Sequence, residues 1–385
     1  MFGRRVTLFK IFGFEIRLDA SWIIIAILVT WSLAVAVFPN TYPGLSRSAY
    51  WWMGVAGALG FFGSIVVHEL CHSLVANHYK LPMKGITLFI FGGVAEMGGE
   101  PQNPKVEFLM AIAGPVASIV LGLLFHAMRA LGASWSPEAA GVLGYLGWIN
   151  LVLAAFNLIP AFPLDGGRVL RAALWHFKGD LLQATSTASR MGSGFGILLM
   201  AFGVYRLLFG DPITAIWYFM IGMFLRGASQ MSYEQVLLRN ELTGEPVRRF
   251  MRPHPVTVFP EMPVRQLVDE YLYRYDFKVY PVVTEADELV GCVTADDVKR
   301  LPKDEWDRHS VSELAKPCSA ANTVSPDTDA MQALSKLQQI GGSSLLVTDR
   351  NHLLAVVSLR DVINFLAAKL RLEGRSMPLP HASRG

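Results

Sequence analysis

Along the first 230 residues, long uncharged stretches alternate with short polar ones. Ser21–Phe38 and Ala49–Val67 carry no charge, Phe108–Met128 has only His126, and Ala140–Leu164 again has none. Crossing a bilayer as a helix takes roughly 20 apolar residues. A soluble core helix could explain one such run but not four. Met191–Tyr205 and Pro212–Leu225 are shorter, the latter only 14 residues. The pattern predicts a membrane α-helical fold of about six transmembrane helices. Arg5–Leu18 alternates apolar and polar residues around Gly13, which predicts a short hairpin at the membrane face. The first span is expected in the mature chain, because its uncharged run is long for a signal peptide and Glu15 and Asp19 precede it. Gly85–Gly99 mixes β-formers with glycines and reads as a short re-entrant β-hairpin.

Beyond residue 230 the pattern becomes that of a soluble α+β module, and it is duplicated. Val258-Phe-Pro-Glu…Tyr280-Pro-Val-Val…Gly291-Cys-Val-Thr294-Ala-Asp-Asp297 recurs as Val324-Ser-Pro-Asp…Leu345-Leu-Val…Ala355-Val-Val-Ser358-Leu-Arg-Asp361. Each copy reads strand, amphipathic helix, two short strands, helix, and neither would bury a core alone. The expected organisation is a membrane domain over 1–230, a linker over 231–245, repeats over 246–303 and 304–370, and a disordered tail over 371–385.

Charge sharpens this division. Residues 1–230 hold 15 Lys/Arg and 10 Asp/Glu, whereas 231–385 hold 19 and 21. Only 17% of the 385 residues are charged, against about 25% in soluble chains. An intrinsically disordered protein and a strongly basic nucleic-acid binder are excluded, so no nucleic-acid partner is expected. Three scattered cysteines (Cys71, Cys292, Cys318) exclude a disulfide framework and a Cys-based zinc site. With six spans, twelve membrane-proximal Lys/Arg fall on one side and three (Arg47, Arg129, Arg206) on the other. Positive residues favour the cytoplasm. The expected location is the cell membrane, multi-pass, with both termini cytoplasmic and the lipid bilayer as a partner.

At the end of the second span stands His68-Glu69-Leu70-Cys71-His72. Residues four apart share a helix face, so both imidazoles can reach one metal ion. Glu69 can take a proton from water activated there. Ionisable side chains inside a membrane span are costly and are usually functional. Catalytic zinc takes three protein ligands, and the candidate third is Asp165, which closes the fourth uncharged run. Pro160 and Pro163 should break the helix, and Gly166 and Gly167 permit a tight bend that turns the carboxylate inward. Asn157, one turn before the break, is an uncharged donor for a scissile carbonyl or its oxyanion. Cys71, His78 and His126 read as packing or interfacial residues, and Glu96 and Glu100 as solvated.

His68-Glu69-xx-His72 in one membrane helix, with Asn157-xx-Pro160-xx-Pro163-Leu-Asp165-Gly-Gly in a later one, resembles the site-2 protease family of intramembrane zinc metalloproteases. The resemblance covers nearly all of 1–230, including Gly92-Gly93-Val94-Ala95 and Ala113-Gly114-Pro115. It implies His68, His72 and Asp165 as Zn2+ ligands, Glu69 as catalytic base, and a single-pass membrane protein as substrate. The family's third-span motif often ends in Asn where this chain has Ser118, so no role is carried to that position. An exposed strand edge at Gly92, Gly93 and Val94 could pair with an unwound substrate by strand addition.

The repeat resembles a tandem pair of cystathionine-β-synthase (CBS) domains over about 245–370. In that family Ser/Thr-x-x-Asp holds the ribose of an adenine nucleotide, which maps to Thr294, Asp297, Ser358 and Asp361. Ala355 stands where Gly is usual, and an Asp at a helix start is also an ordinary cap. The resemblance implies ATP, ADP or AMP as ligand and a homo-oligomer through the CBS domains. The reading is an intramembrane zinc metalloendopeptidase performing regulated intramembrane proteolysis under nucleotide control. The rival is a CBS-regulated ion transporter using the His/Glu/Asp cluster as a metal path; an inactive metal-binding scaffold is a further alternative.

Overall fold

The computed structural model describes residues 5–81, 83–89, 92–97, 99–132, 136–275, 277–318, 322–340 and 344–372. It divides into two compact units, Met1–Tyr233 and Glu234–Gly385.

The first unit opens with strands β1 (Arg5–Ile11) and β2 (Phe14–Asp19), which reverse through Phe12 and Gly13, both at positive φ. Helix α1 (Ser21–Ser32) continues through a π turn (Leu33–Val37) into α2 (Phe38–Thr41). Then follow α3 (Arg47–His78), β3 (Met83–Phe89), β4 (Gly92–Met97), α4 (Pro104–Leu131) and α5 (Pro137–Asn157). Three more helices complete it: α6 (Asp165–Lys178), α7 (Leu181–Leu208) and α8 (Pro212–Leu242). The two hairpins expected separately form one four-stranded sheet, β1-β2-β3-β4. They join through a parallel β2–β3 ladder that pairs Ile16 with Ile86 and Leu18 with Leu88. β4 forms one edge of this sheet.

Polarity in this unit is inverted relative to a water-soluble protein. Ile23, Ile27, Trp52, Leu59, Val120 and Leu123 are more than half exposed, while His68, Glu107, Ser118, Asn150 and Thr185 are buried. Hydrocarbon surroundings call for that arrangement. Among the described residues, five helical segments are long and apolar enough to cross a membrane: Ser21–Thr41, Arg47–His78, Pro104–Leu131, Pro137–Asn157 and Leu181–Leu208. The expected sixth span falls outside this set, because α8 is apolar only until Arg226 begins its polar continuation. α8 nevertheless packs tightly on α7. A Cβ on Gly196 would lie 2.6 Å from the Gly222 carbonyl oxygen, and one on Gly203 would lie 2.8 Å from that of Ala215. The order of these pairs makes α7 and α8 antiparallel, and small residues permit the close crossing.

In the second unit, β6 (Tyr280–Val283) and β7 (Leu289–Val293) are antiparallel, and Val258 bridges Val282 in parallel. The second copy repeats this with β8 (Thr323–Val324) parallel to β9 (Leu345–Asp349), and β9 antiparallel to β10 (His352–Val357). The helices are α9 (Val264–Gln266), continued by a π turn, α10 (Ala295–Val298), α11 (Val311–Leu314), α12 (Ala330–Gln339) and α13 (Leu359–Leu372). On α12 the buried residues Ala330, Ala333, Leu334 and Leu337 form a single stripe, the 3.6-residue period of an amphipathic helix.

The copies exchange their leading segments. Strand β5 (Arg252–Pro253), in the leading segment of the first copy, pairs with β10 of the second, while Lys316, in the leading segment of the second, bridges Cys292 in β7 of the first. Leu242, Val247 and Phe250 share a core with Ala333, Leu337 and Val357, and Val311 shares one with Val264 and Tyr280. Each core is therefore completed by the other copy's leader. Residues 231–245, expected as a linker, are helical through Leu242, which is fully buried. Of the expected tail, 373–385 lie outside the described residues.

Among the described residues of this unit, Asp297, Glu245 and Glu313 sit below their ordinary carboxylate pKa. Burial pushes Asp297 upward, but the Lys316 ammonium and the Thr294 hydroxyl outweigh it. Arg249 and then Lys369 lower Glu245, and the Ser310 backbone N–H and then His309 lower Glu313. A depressed carboxylate stabilises the fold above its unfolded pKa, and that stabilisation is lost as pH falls through the folded value. Calorimetry of the detergent-solubilised chain should show the second unit's melting midpoint steady from pH 7 to about 5 and falling below about pH 4. Asp297→Asn should lower the midpoint at pH 7 and flatten the acid fall.

Candidate metal centre

α3 carries His68 and His72 one turn apart on its buried face, 3% and 5% exposed. Each imidazole is held from behind by α4. His72 Nδ1 lies 2.6 Å from the Met110 carbonyl oxygen, and His68 Nδ1 lies 2.9 Å from Ser118 Oγ. A carbonyl can only accept, so His72 Nδ1 carries a proton and the neutral ring presents its lone pair at Nε2.

The third group arrives from a break in the chain. α5 ends at Asn157, and residues 158–164 turn through Pro160 and a cis Phe162–Pro163 peptide before α6 begins at Asp165. Gly166 and Gly167, expected to permit the bend, do not form it. They lie instead inside the first turn of α6, where a Cβ on either would fall 2.5 Å from backbone atoms of Ile159 or Ala161. Their small size nests the helix start against the turn that precedes it.

Asp165, 7% exposed, places Oδ2 3.0 Å from His68 Nε2 and 3.2 Å from His72 Nε2. One ligand atom from each residue lies within 4.8 Å of the other two. Donors at 2.0–2.1 Å on a tetrahedral zinc stand about 3.3 Å apart, so this spacing suits the ion. The His72 Nε2 lone pair faces Asp165 Oδ2, an arrangement that a cation between them would satisfy. The floor of the site is backbone: a Cβ on Gly114 of α4 would sit 2.5 Å from His68 Nε2 and closer still to His72 Nε2. Only glycine leaves that space open.

Beside the cluster lies a cavity of about 330 Å³ with largely apolar walls, including Ile25, Phe61, Phe156, Trp217 and Phe224. His68, Glu69, Asn157, Gly92 and Gly93 also line it. β4 runs against the acid, since a Cβ on Gly93 would meet Glu69 Cγ at 2.7 Å. The Val94 backbone pairs with Thr87 in the same strand. Asn157 Nδ2 donates to the Leu153 carbonyl at 3.1 Å. Cys71 stands half-buried outside the cluster.

In the second unit the predicted nucleotide residues form two matching caps. Thr294 Oγ1 donates to Asp297 Oδ2 and Ser358 Oγ to Asp361 Oδ2, both at 2.6 Å. The remaining oxygen of each carboxylate pairs with a leader of the other copy, Lys316 on Asp297 and Arg252 on Asp361.

Several contributors in the first unit have no local sequence signal. Ser118, left without a role, orients His68, and the Met110 carbonyl orients His72. Glu100, expected in solvent, lies 3.3 Å from Arg171, which also binds the fully buried Glu107. The Glu96 side chain lies outside the described residues. Ser118 and Arg171 act across more than 45 residues of sequence, so no local spacing reveals them.

The chain is similar to known proteins along most of its length. The profile of Peptidase family M50 matches residues 56–135 and 124–201, and that of the CBS domain matches 247–304 and 311–368. The Rip3 protein of Mycobacterium tuberculosis is 30% identical over 364 residues, covering 94% of this chain and 92% of the relative. The sll0528 protein of Synechocystis is 33% identical over 341 residues, covering 88% and 89%. Both carry zinc metalloprotease in their names. A solved structure, the site-2 protease from Methanocaldococcus jannaschii, is 28% identical with a TM-score of 0.42, covering 60% of this chain and 95% of that one.

Elemental analysis of the purified chain should find about one zinc per molecule. Gly114→Ala should abolish it by crowding both Nε2 atoms. Ser118→Ala should weaken zinc affinity about 10–100-fold, as loss of an orienting hydrogen bond does elsewhere.

Proposed function

The chain belongs to peptidase family M50, as a zinc metalloprotease of the site-2 type carrying a tandem CBS pair, and we propose that it hydrolyses a peptide bond within or near the membrane span of a single-pass protein. The observation that carries this reading is the shared cavity. Beside the buried His68–His72–Asp165 cluster, it gathers an acid, an amide and an open strand edge between apolar walls.

His68, His72 and Asp165 would hold zinc, whose Lewis acidity supports attack of water on a carbonyl. Glu69 takes the proton from the attacking water and returns it to the departing amine. Asn157 turns its Nδ2 from the Leu153 carbonyl to the developing oxyanion. Peptide bonds inside a helix are shielded, so the substrate must be extended at the site. β4, at the edge of its sheet, offers backbone groups at Gly92, Gly93 and Val94 for strand addition, and Gly93 brings the added strand close to Glu69.

The antiparallel packing of α7 and α8 supports a sixth crossing, with both termini and the CBS pair in the cytoplasm of a multi-pass protein. Adenine nucleotide at Thr294, Asp297, Ser358 and Asp361 would bind where each carboxylate already meets a leader of the other copy. Binding there would alter those cross-copy pairs and, through α8, the cavity wall at Trp217 and Phe224. Pairing of CBS modules would make the enzyme a homo-oligomer.

Reconstituted with a panel of single-pass substrates, Glu69→Gln should keep its zinc and lose cleavage, and Asn157→Leu should lower kcat about 10²–10³-fold. Cleavage that survives Glu69→Gln would overturn the proposal, and zinc flux through Glu69→Gln liposomes would favour a transporter. ATP or AMP should change the wild-type cleavage rate and leave that of Thr294→Ala/Ser358→Ala unchanged. A wild-type rate indifferent to both nucleotides would remove the regulatory part alone.

A further inference from the structure

One face of α4 carries Glu107, Met110, Gly114 and Ser118 at spacings of three and four, each buried. Three of these serve the metal cluster. Ser118 and the Met110 carbonyl orient the imidazoles, and Gly114 leaves room for their Nε2 atoms. Glu107, at the end of the stripe, touches neither histidine. It faces Arg171 of α6, whose Nε donates to Glu107 Oε1 at 2.6 Å. Arg171 is 3% exposed and Glu107 is 0% exposed.

Arg171 gathers two further segments around itself. Its Nη2 reaches Glu100, ahead of α4, at 3.3 Å, and its guanidinium lies 5.0 Å over the ring of Phe162, within the turn that delivers Asp165. On α6, Asp165, Arg168 and Arg171 follow one another at three-residue spacing along the side facing α4, with Arg168 Nη2 4.0 Å from Met110 Sδ. The remaining buried residues of α6 are Gly166, Gly167 and Ala172. Such small side chains allow close approach but supply no knobs to stop one helix sliding along another. A buried ion pair adds little net stability, because desolvation offsets its attraction, but it tolerates little displacement of its partners.

We propose that Arg171 and Glu107 are positioning residues for the third metal ligand: their pairing sets the register of α6 on α4 and thereby where Asp165 Oδ2 stands relative to the two Nε2 atoms. The inference rests on the zinc reading of the cluster. Cutting the pair frees α6 to shift, and a shift of an ångström moves Asp165 out of ligand distance. The histidines, held by Ser118 and Met110, stay in place.

The test is a double-mutant cycle on the full chain in detergent, read as zinc affinity by chelator competition. Arg171→Met should weaken zinc binding about 10–100-fold in the wild-type background. In Asp165→Ala, where no third ligand remains to be positioned, the same change should alter the residual affinity by less than about twofold. Glu107→Gln, which preserves shape and one acceptor, should give a smaller loss with the same dependence on Asp165. The reversed pair Glu107→Arg/Arg171→Glu should bind zinc more tightly than either single change. Equal losses in both backgrounds would overturn the proposal, as would no loss in either from Arg171→Met or Glu107→Gln. Absence of zinc from the wild type, or zinc indifferent to Asp165→Ala, would instead refute the metal reading beneath it.

Discussion

Two imidazoles and a carboxylate meet at one point inside a unit whose outer surface is hydrocarbon-like, and the rest of that unit answers to this demand. In water, side chains of this kind would be satisfied by solvent. Within a membrane their remaining hydrogen-bonding atoms must find partners in the protein or incur several kcal/mol each. α4 meets that need. Its buried face offers a carbonyl, a hydroxyl and a missing Cβ in register with the two histidines of α3. The break after α5 then becomes necessary, because a continuous helix would carry the carboxylate away from them.

The parts of the site legible in the sequence are those whose geometry is local. His68 and His72 are one helical turn apart, so their spacing states their common face. Pro160 and Pro163 announce a break wherever they occur in a helix. Ser118, the Met110 carbonyl, and the pairing of Arg171 with Glu107 depend on how α4 lies against α3 and α6, which no short motif encodes. Gly166 and Gly167 serve close approach rather than the expected bend, since a glycine pair signals both equally well. The fold divides in the same manner. Helices and hairpins follow from periodicity, whereas the parallel ladder joining Ile16 to Ile86 is a long-range pairing.

The strand edge and the acid form a second dependence. Gly93 packs on Glu69 with no side chain between them, so the surface proposed to receive substrate and the group proposed to move its proton share one wall of the cavity. A segment that fails to lie along β4 would also fail to meet the acid. Selection for substrates that unwind easily would then require no separate recognition pocket.

The exchange of leaders in the CBS pair has a bearing on how the protein is made. Arg252 pairs with Asp361, 109 residues later in the chain, and Val247 and Phe250 enter a core completed by the last helices. At about 5–20 residues per second, a ribosome needs roughly 5–20 s to supply those partners. Throughout that interval the membrane helices are already synthesised while an apolar leader waits beside the bilayer without its core. The order of synthesis therefore delivers the membrane unit first and its CBS module last.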